Sequence, residues 1–182
     1  MKFDETEIPE VKLIEPQVYF DSRGFFMESF NEKKWKDAGI SLSFVQDNHS
    51  RSIKGTLRGL HYQIQHPQGK IVRTILGEVF DVAVDLRRSS RTFGKWVGCI
   101  LSAENQYQLW IPPGFAHGFY TVSEYAEVIY KATEYYSPEN ERIIIWNDPH
   151  IDILWPQQVE SKLILSTKDS HGLAFTEAEV YP

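Results

Sequence analysis

Apolar residues in this chain fall in short runs and alternations rather than at helical spacing, and those runs are rich in β-branched and aromatic side chains. Nine segments read as strands: 25–30, 44–48, 56–63, 71–76, 79–86, 96–101, 107–111, 118–122 and 127–132, each bounded by Gly, Pro, Asn or Ser. In 79–86, Phe80, Val82, Val84 and Leu86 share one face while Asp81 and Asp85 share the other, which predicts a half-buried antiparallel strand. The 71–76 run, joined to it by Gly77-Glu78, is expected to be its hairpin partner. The clearest helix is 31–39, NEKKWKDAG, where Asn31 can cap the first turn and Gly39 can end the last. After Pro138 the pattern weakens, and the closing EAEVYP reads as a loop or a loosely packed tail. The sum is an all-β chain, a sandwich or barrel of antiparallel strands with few short helices.

Composition narrows the function. The 182 residues suit one domain, 1–182, with a substantial core, and no repeat, linker or low-complexity tract divides them. Nineteen Lys and Arg against 25 Asp and Glu leave a formal charge of -6, which argues against broad binding of nucleic acid or an anionic membrane surface. Any anion site must be a local cluster. Cys99 is the only cysteine, so no intrachain disulfide forms. The start, MKFDETEIPEVK, lacks the apolar stretch of a signal peptide, and no run approaches the roughly 18 apolar residues of a membrane helix. A cytoplasmic protein is expected.

Three segments carry candidate chemistry. GTLRGLHYQIQHPQGK, at 55–70, places Arg58, His61 and Lys70 close together, a set suited to an anionic substrate from which a proton is moved. STKDS, at 166–170, adds Lys168 and Asp169. PPGFAHGF, at 112–119, has the Pro-x-Gly-x-x-His spacing that resembles the second motif of the cupin superfamily, in which His117 would be a metal ligand. The first cupin motif should bring a His-x-His pair and a glutamate, yet His61 is followed by Tyr62-Gln63 and the next histidine is His66. A divalent ion needs several converging ligands. With that set broken, no metal is expected, and a metal-dependent cupin enzyme is the competing reading.

The resemblance sharpens over FDSRGFFMESFN (20–31), VQDNHS (45–50), LRGLHYQ (57–63), QGK (68–70), GEVFDVAVDLR (77–87), IPPGFAHGF (111–119) and YKATEYYSPENER (130–142). In this order these motifs resemble the dTDP-4-dehydrorhamnose 3,5-epimerases from about residue 11 to about 170. The resemblance implies a cupin-type jelly-roll barrel, usually a homodimer, working without metal or organic cofactor on a nucleotide-linked 4-keto-6-deoxy sugar. It further implies His61 as base, Asp169 as its partner carboxylate, Tyr130 as acid on the opposite face of the sugar, and Lys70 beside the carbon-4 oxygen. Arg23, Arg58 and Lys168 would meet diphosphate and sugar oxygens, His117 would hydrogen-bond the substrate, and Tyr136 would stack on thymine. Phe26, Glu28, Gln46, Asn48 and Glu141 match positions that contact nucleotide or sugar.

That reaction suits these residue types. Carbons 3 and 5 flank the same carbonyl, so one ketone acidifies both hydrogens, and inversion takes a base on one face and an acid on the other. An ammonium near the ketone oxygen stabilises the enolate.

Structural readings compete at each position. A lone strand histidine is more often a satisfied, partly buried group, and Lys70 and Lys168 would ordinarily be solvated; the surrounding motifs carry the functional reading. Tyr135 and Tyr136 crowd Tyr130 as alternatives for the acid. His49, His66, His150 and His171 read as surface or turn residues, and Asp148-Pro149 as structural. Single-site epimerases of related sugars share most of these motifs, so the residues leave open whether one carbon or both are inverted. Strict alternation puts Arg58 and His61 on opposite faces unless the strand bulges, and Gly59 is the natural place for a bulge.

Overall fold

The computed structural model describes residues 1–156 and 163–182. Two antiparallel sheets face each other. One runs in the order β1 (Lys2–Glu5), β2 (Lys12–Glu15), β10 (Gln108–Ile111), β7 (Lys70–Leu76), β12 (Tyr125–Ala132), β5 (Gln46–Ile53). The other runs β13 (Glu141–Ile143), β6 (Leu57–Gln63), β11 (Phe115–Thr121), β8 (Glu78–Asp85), β9 (Trp96–Ser102). A separate hairpin, β3 (Val18–Asp21) with β4 (Gly24–Met27), joins neither. This is the cupin-type jelly roll that the sequence led us to expect.

The inner faces meet in a core of Val72, Val79, Ala83, Val97, Leu101, Leu109, Ile111, Phe115, Phe119, Ala126 and Val128. Behind the five-stranded sheet a second cluster forms, in which Leu60, Val82, Val84, Leu86 and Ala116 pack against Ile151, Phe175, Val180 and Tyr181. β8 is therefore buried on both faces, and Asp81 and Asp85 are fully buried rather than solvent-facing as alternation suggested. A central strand with a sheet in front and the C-terminal segment behind has no wet side.

The segment expected to be the hairpin partner of β8 is not paired with it. β7 lies between β10 and β12, whereas β8 lies between β11 and β9. Gly77, at φ +72, turns the chain from one sheet to the other, and a Cβ there would sit 1.9 Å from the Tyr125 carbonyl oxygen. Only glycine fits so close an approach.

The helix forms as α1 (Glu32–Asp37), with the Asn31 side chain accepting from the Lys34 N–H and Gly39 at φ +86. It is held by packing more than by propensity, since Trp35 is 1% exposed against Ile14, Ile40, Ile71 and Trp110 on the outer face of the six-stranded sheet. Truncating such a buried Trp to Ala typically costs about 3–5 kcal/mol. The final residues are docked rather than loose. Tyr181 donates its N–H to the Leu86 carbonyl at 3.1 Å, accepts from Arg88 at 2.9 Å, and donates its hydroxyl to the Gln63 carbonyl. Among the described residues no helix is long and apolar enough to cross a membrane.

Candidate active site

The site is built around an irregularity in β6. His117 of β11 pairs with His61 and Phe119 with Arg58, so two steps along β11 span three along β6. The extra residue is accommodated at Gly59, whose φ is +137 and where a Cβ would lie 2.5 Å from the Gly118 Cα. The bulge places Arg58 opposite the inward Phe119 and His61 opposite the inward His117, so both serve the inner face. Arg58 then reaches across to β5, donating from Nε to Ser52 Oγ at 3.0 Å.

His61 is about one-third exposed, and its Nε2 lies 2.5 Å from Asp169 Oδ1. Asp169 opens a short 3-10 turn, Asp169–His171, and its side chain is buried. Burial alone would raise its pKa, but hydrogen bonds from His61, Ser166 Oγ (2.6 Å) and the Gly59 N–H (3.2 Å) outweigh that and hold the carboxyl at about 2. An ionised carboxylate only accepts, so Nε2 of His61 carries the proton and Nδ1 is the nitrogen left to take another.

Lys70, the first residue of β7, points inward and is buried, with Nζ 5.8 Å from the Tyr130 ring centre. Burial lowers its pKa to about 8, with Asp81 and Glu141 opposing the fall. Tyr130, on β12 opposite Asn48 of β5, has its phenol pKa pushed up by burial and Glu141, with Arg58 opposing, so it is protonated at neutral pH. His117 is buried, with Nε2 3.0 Å from each oxygen of Asp81, and burial pushes its pKa down against the pull of Asp81.

Around these lie polar residues that tie three loops together. Gln46 donates to Asn48 Oδ1 at 3.0 Å and accepts the Tyr136 N–H at 2.9 Å. Glu141 Oε2 accepts from the Tyr136 hydroxyl at 3.2 Å and from Lys168 Nζ at 2.6 Å. The Tyr136 ring stays about half exposed.

Of the residues singled out from sequence, the fold thus gathers His61, Lys70, His117, Tyr130 and Asp169, with Gln46, Asn48, Arg58, Tyr136, Glu141 and Lys168 bordering them. It does not bring in Arg23, Phe26 and Glu28. Arg23 lies in the β3–β4 turn with its side chain 88% exposed and Nη2 2.6 Å from Asp21 Oδ2. Phe26 is 72% exposed, and Glu28 pairs with Lys34 at 2.7 Å. No hydrogen bond or ion pair among the described residues links these three to the barrel cluster, because their hairpin belongs to neither sheet. Sequence reasoning missed Asp81 and Ser166. The signal for Asp81 was its charge in an otherwise apolar run; Ser166 carried none beyond its place in STKDS.

The arrangement is equipped for proton transfer next to a carbonyl: an imidazole with one nitrogen free, a phenol, and a largely buried ammonium suited to a developing enolate. Among the described residues, no group of three or more His, Cys, Asp or Glu side chains converges as metal ligands.

Known proteins agree with this chemistry. The sequence family described as dTDP-4-dehydrorhamnose 3,5-epimerase matches residues 5–177. The chain is 59% identical over 183 aligned positions to a dTDP-4-dehydrorhamnose 3,5-epimerase of Pseudomonas aeruginosa, covering all of both. It is 56% identical to that of Shigella flexneri, covering 100% of this chain and 99% of the relative. Among solved structures, it superposes with a TM-score of 0.95 and 52% identity on the dTDP-6-deoxy-D-glucose-3,5-epimerase of Legionella pneumophila in complex with dTDP-4-keto-L-rhamnose, covering 98% of this chain and 94% of that one. The chain belongs to the dTDP-4-dehydrorhamnose 3,5-epimerase family.

Proposed function

We propose that the protein inverts carbons 3 and 5 of dTDP-4-dehydro-6-deoxy-D-glucose to give dTDP-4-dehydro-L-rhamnose. The observation that carries this reading is His61, backed by Asp169 at 2.5 Å, paired across the strands with His117 near the buried Lys70, whose Nζ lies 5.8 Å from the Tyr130 ring centre. Nδ1 of His61 removes the hydrogen beside the ketone, Lys70 holds the carbon-4 oxygen as it becomes an enolate, and Tyr130 returns a proton from the other face. With the oxygen kept at Lys70, turning the sugar presents first one flanking carbon and then the other to the same base. No cofactor takes part in these steps.

Arg58 and Lys168 meet the diphosphate, Arg58 with a planar fork suited to two oxygens at once. Tyr136 stacks on thymine, while Gln46, Asn48, His117 and Glu141 fix nucleotide and sugar by hydrogen bonds. Glu141 holds Lys168 in the free protein at 2.6 Å, so substrate phosphate must share or replace that partner.

We further assign the protein to a homodimer of one-domain chains in the cytoplasm. The β3–β4 hairpin leaves Tyr19, Phe20, Phe25 and Phe26 between 53% and 74% exposed. Such a patch marks an interface, and across a dimer Arg23, Phe26 and Glu28 are free to serve the partner's nucleotide.

Incubation with the 4-keto sugar nucleotide in heavy water, followed by NMR, tests the reaction. Deuterium is expected at both carbons. Label at only one carbon means a single-site epimerase, and label at neither means the protein is no epimerase.

A further inference from the structure

One buried charge in the barrel is not used by the reaction as drawn. Asp81 is wholly buried at the centre of β8. Its register partner on β11 is Phe119, and it reaches diagonally to His117, both oxygens 3.0 Å from Nε2. On its other side the register partner is Cys99 of β9. A carboxylate is removed from water at such cost that it persists only with compensating partners. His117 supplies hydrogen bonds but is itself held toward neutrality by burial and by the nearby Lys70 and His61. Lys70 is the buried amine near enough for its charge to be held by Asp81.

We propose that Asp81 is a positioning residue of the epimerase site, orienting His117 through Nε2 and supplying the buried counter-charge that keeps Lys70 an ammonium. The proposal rests on the epimerase reading for its catalytic consequence. The titratable and charged groups near Lys70 are Asp81 from β8, Glu141 from β13, His117 from β11 and Tyr130 from β12, with His61 of β6 paired beside His117. Two of them are carboxylates. Asp81 does more than Glu141 to hold Lys70's pKa up against burial, and Glu141 is already bound to Lys168 and Tyr136. Because Asp81 accepts from His117, the imidazole proton stays on Nε2 and Nδ1, without a partner among the described residues, is the nitrogen offered to substrate.

The test combines NMR of the free protein with a pH profile. In protein labelled with 13C at lysine Cε, the Lys70 resonance, identified by its loss in Lys70→Met, should titrate at lower pH in Asp81→Asn than in wild type. The basic limb of kcat/KM should move the same way, lowering the rate at pH 8 by about tenfold or more, within the ~10²- to 10³-fold loss expected for an oxyanion contact. KM should change less than kcat, which a general loss of packing would not produce. In wild type labelled with 15N-histidine, neutral His117 should carry its proton on Nε2. Unchanged titration of Lys70 in Asp81→Asn, or a proton on Nδ1 of His117, overturns the proposal. If Asp81→Asn does not fold, the wild-type tautomer decides. Wild type that exchanges no deuterium defeats the epimerase reading instead, while the Lys70 titration still judges Asp81.

Discussion

His61 and Asp169 are 108 positions apart in the chain and 2.5 Å apart in the fold. The contact sets which imidazole nitrogen is available. Asp169, held at about pKa 2, is ionised throughout the working range and forces the proton onto Nε2. Asp169→Asn can present its amide hydrogens to the ring and reverse the tautomer, so kcat should fall by roughly 10²- to 10⁴-fold with dTDP affinity nearly unchanged. Steady-state kinetics with calorimetric titration of dTDP checks this, and a kcat within a few-fold of wild type rejects the pairing as catalytic.

The same carboxylate makes a pH prediction. Its folded pKa lies below its unfolded one, so its contribution to stability is present above about pH 4 and is lost as pH falls toward 2. Urea unfolding of wild type and Asp169→Asn should differ at pH 7 and converge in acid.

Lys70 has the opposite sign. Its folded pKa is lowered from 10.5 to about 8 by burial, so the unfolded chain binds more protons between those values and stability rises with pH across them. At pH 7 the charged form costs stability. Lys70→Met should therefore stabilise the fold by roughly 1–3 kcal/mol while lowering kcat by about 10²- to 10³-fold. Denaturant midpoints and turnover measured on the same samples test the trade-off, and a destabilised variant contradicts it.

Gly59→Ala combines a positive φ with a Cβ 2.5 Å from Gly118 Cα. The cost should be several kcal/mol, on the order of 3, and His61 should be displaced with the bulge. A variant with wild-type stability and activity would show that the β6 backbone can relax without harm.

The exposed hairpin aromatics predict assembly. Phe20→Glu with Phe25→Glu should shift sedimentation from dimer toward monomer while circular dichroism of the barrel is retained. Phe26→Ala should weaken dTDP binding even though Phe26 is 72% exposed in its own chain. A wild-type monomer at micromolar concentration excludes the dimer.

Strand existence was legible because alternation and aromatic content are local. All nine expected segments overlap strands, and the Asn31 cap and Gly39 end of α1 follow from their own chemistry. Four strands, β1, β2, β3 and β13, were not legible. Short, mostly charged stretches such as KFDE and ERI become strands only because a neighbour offers an edge. Alternation also says nothing about which sheet a strand joins, and Gly77 carries the chain from β7 in one sheet to β8 in the other.

By itself, the sequence determined nine of the strands, the residue types for enolate chemistry and, through motif order, the family. Only the tertiary structure decided that Lys70 is buried, that Asp81 is buried against His117, and that Arg58 and His61 share a face. It also left Arg23, Phe26 and Glu28 outside the barrel cluster. The reason is that spacing and pattern report what each residue meets within a few positions, whereas burial and charge balance depend on partners brought from distant strands.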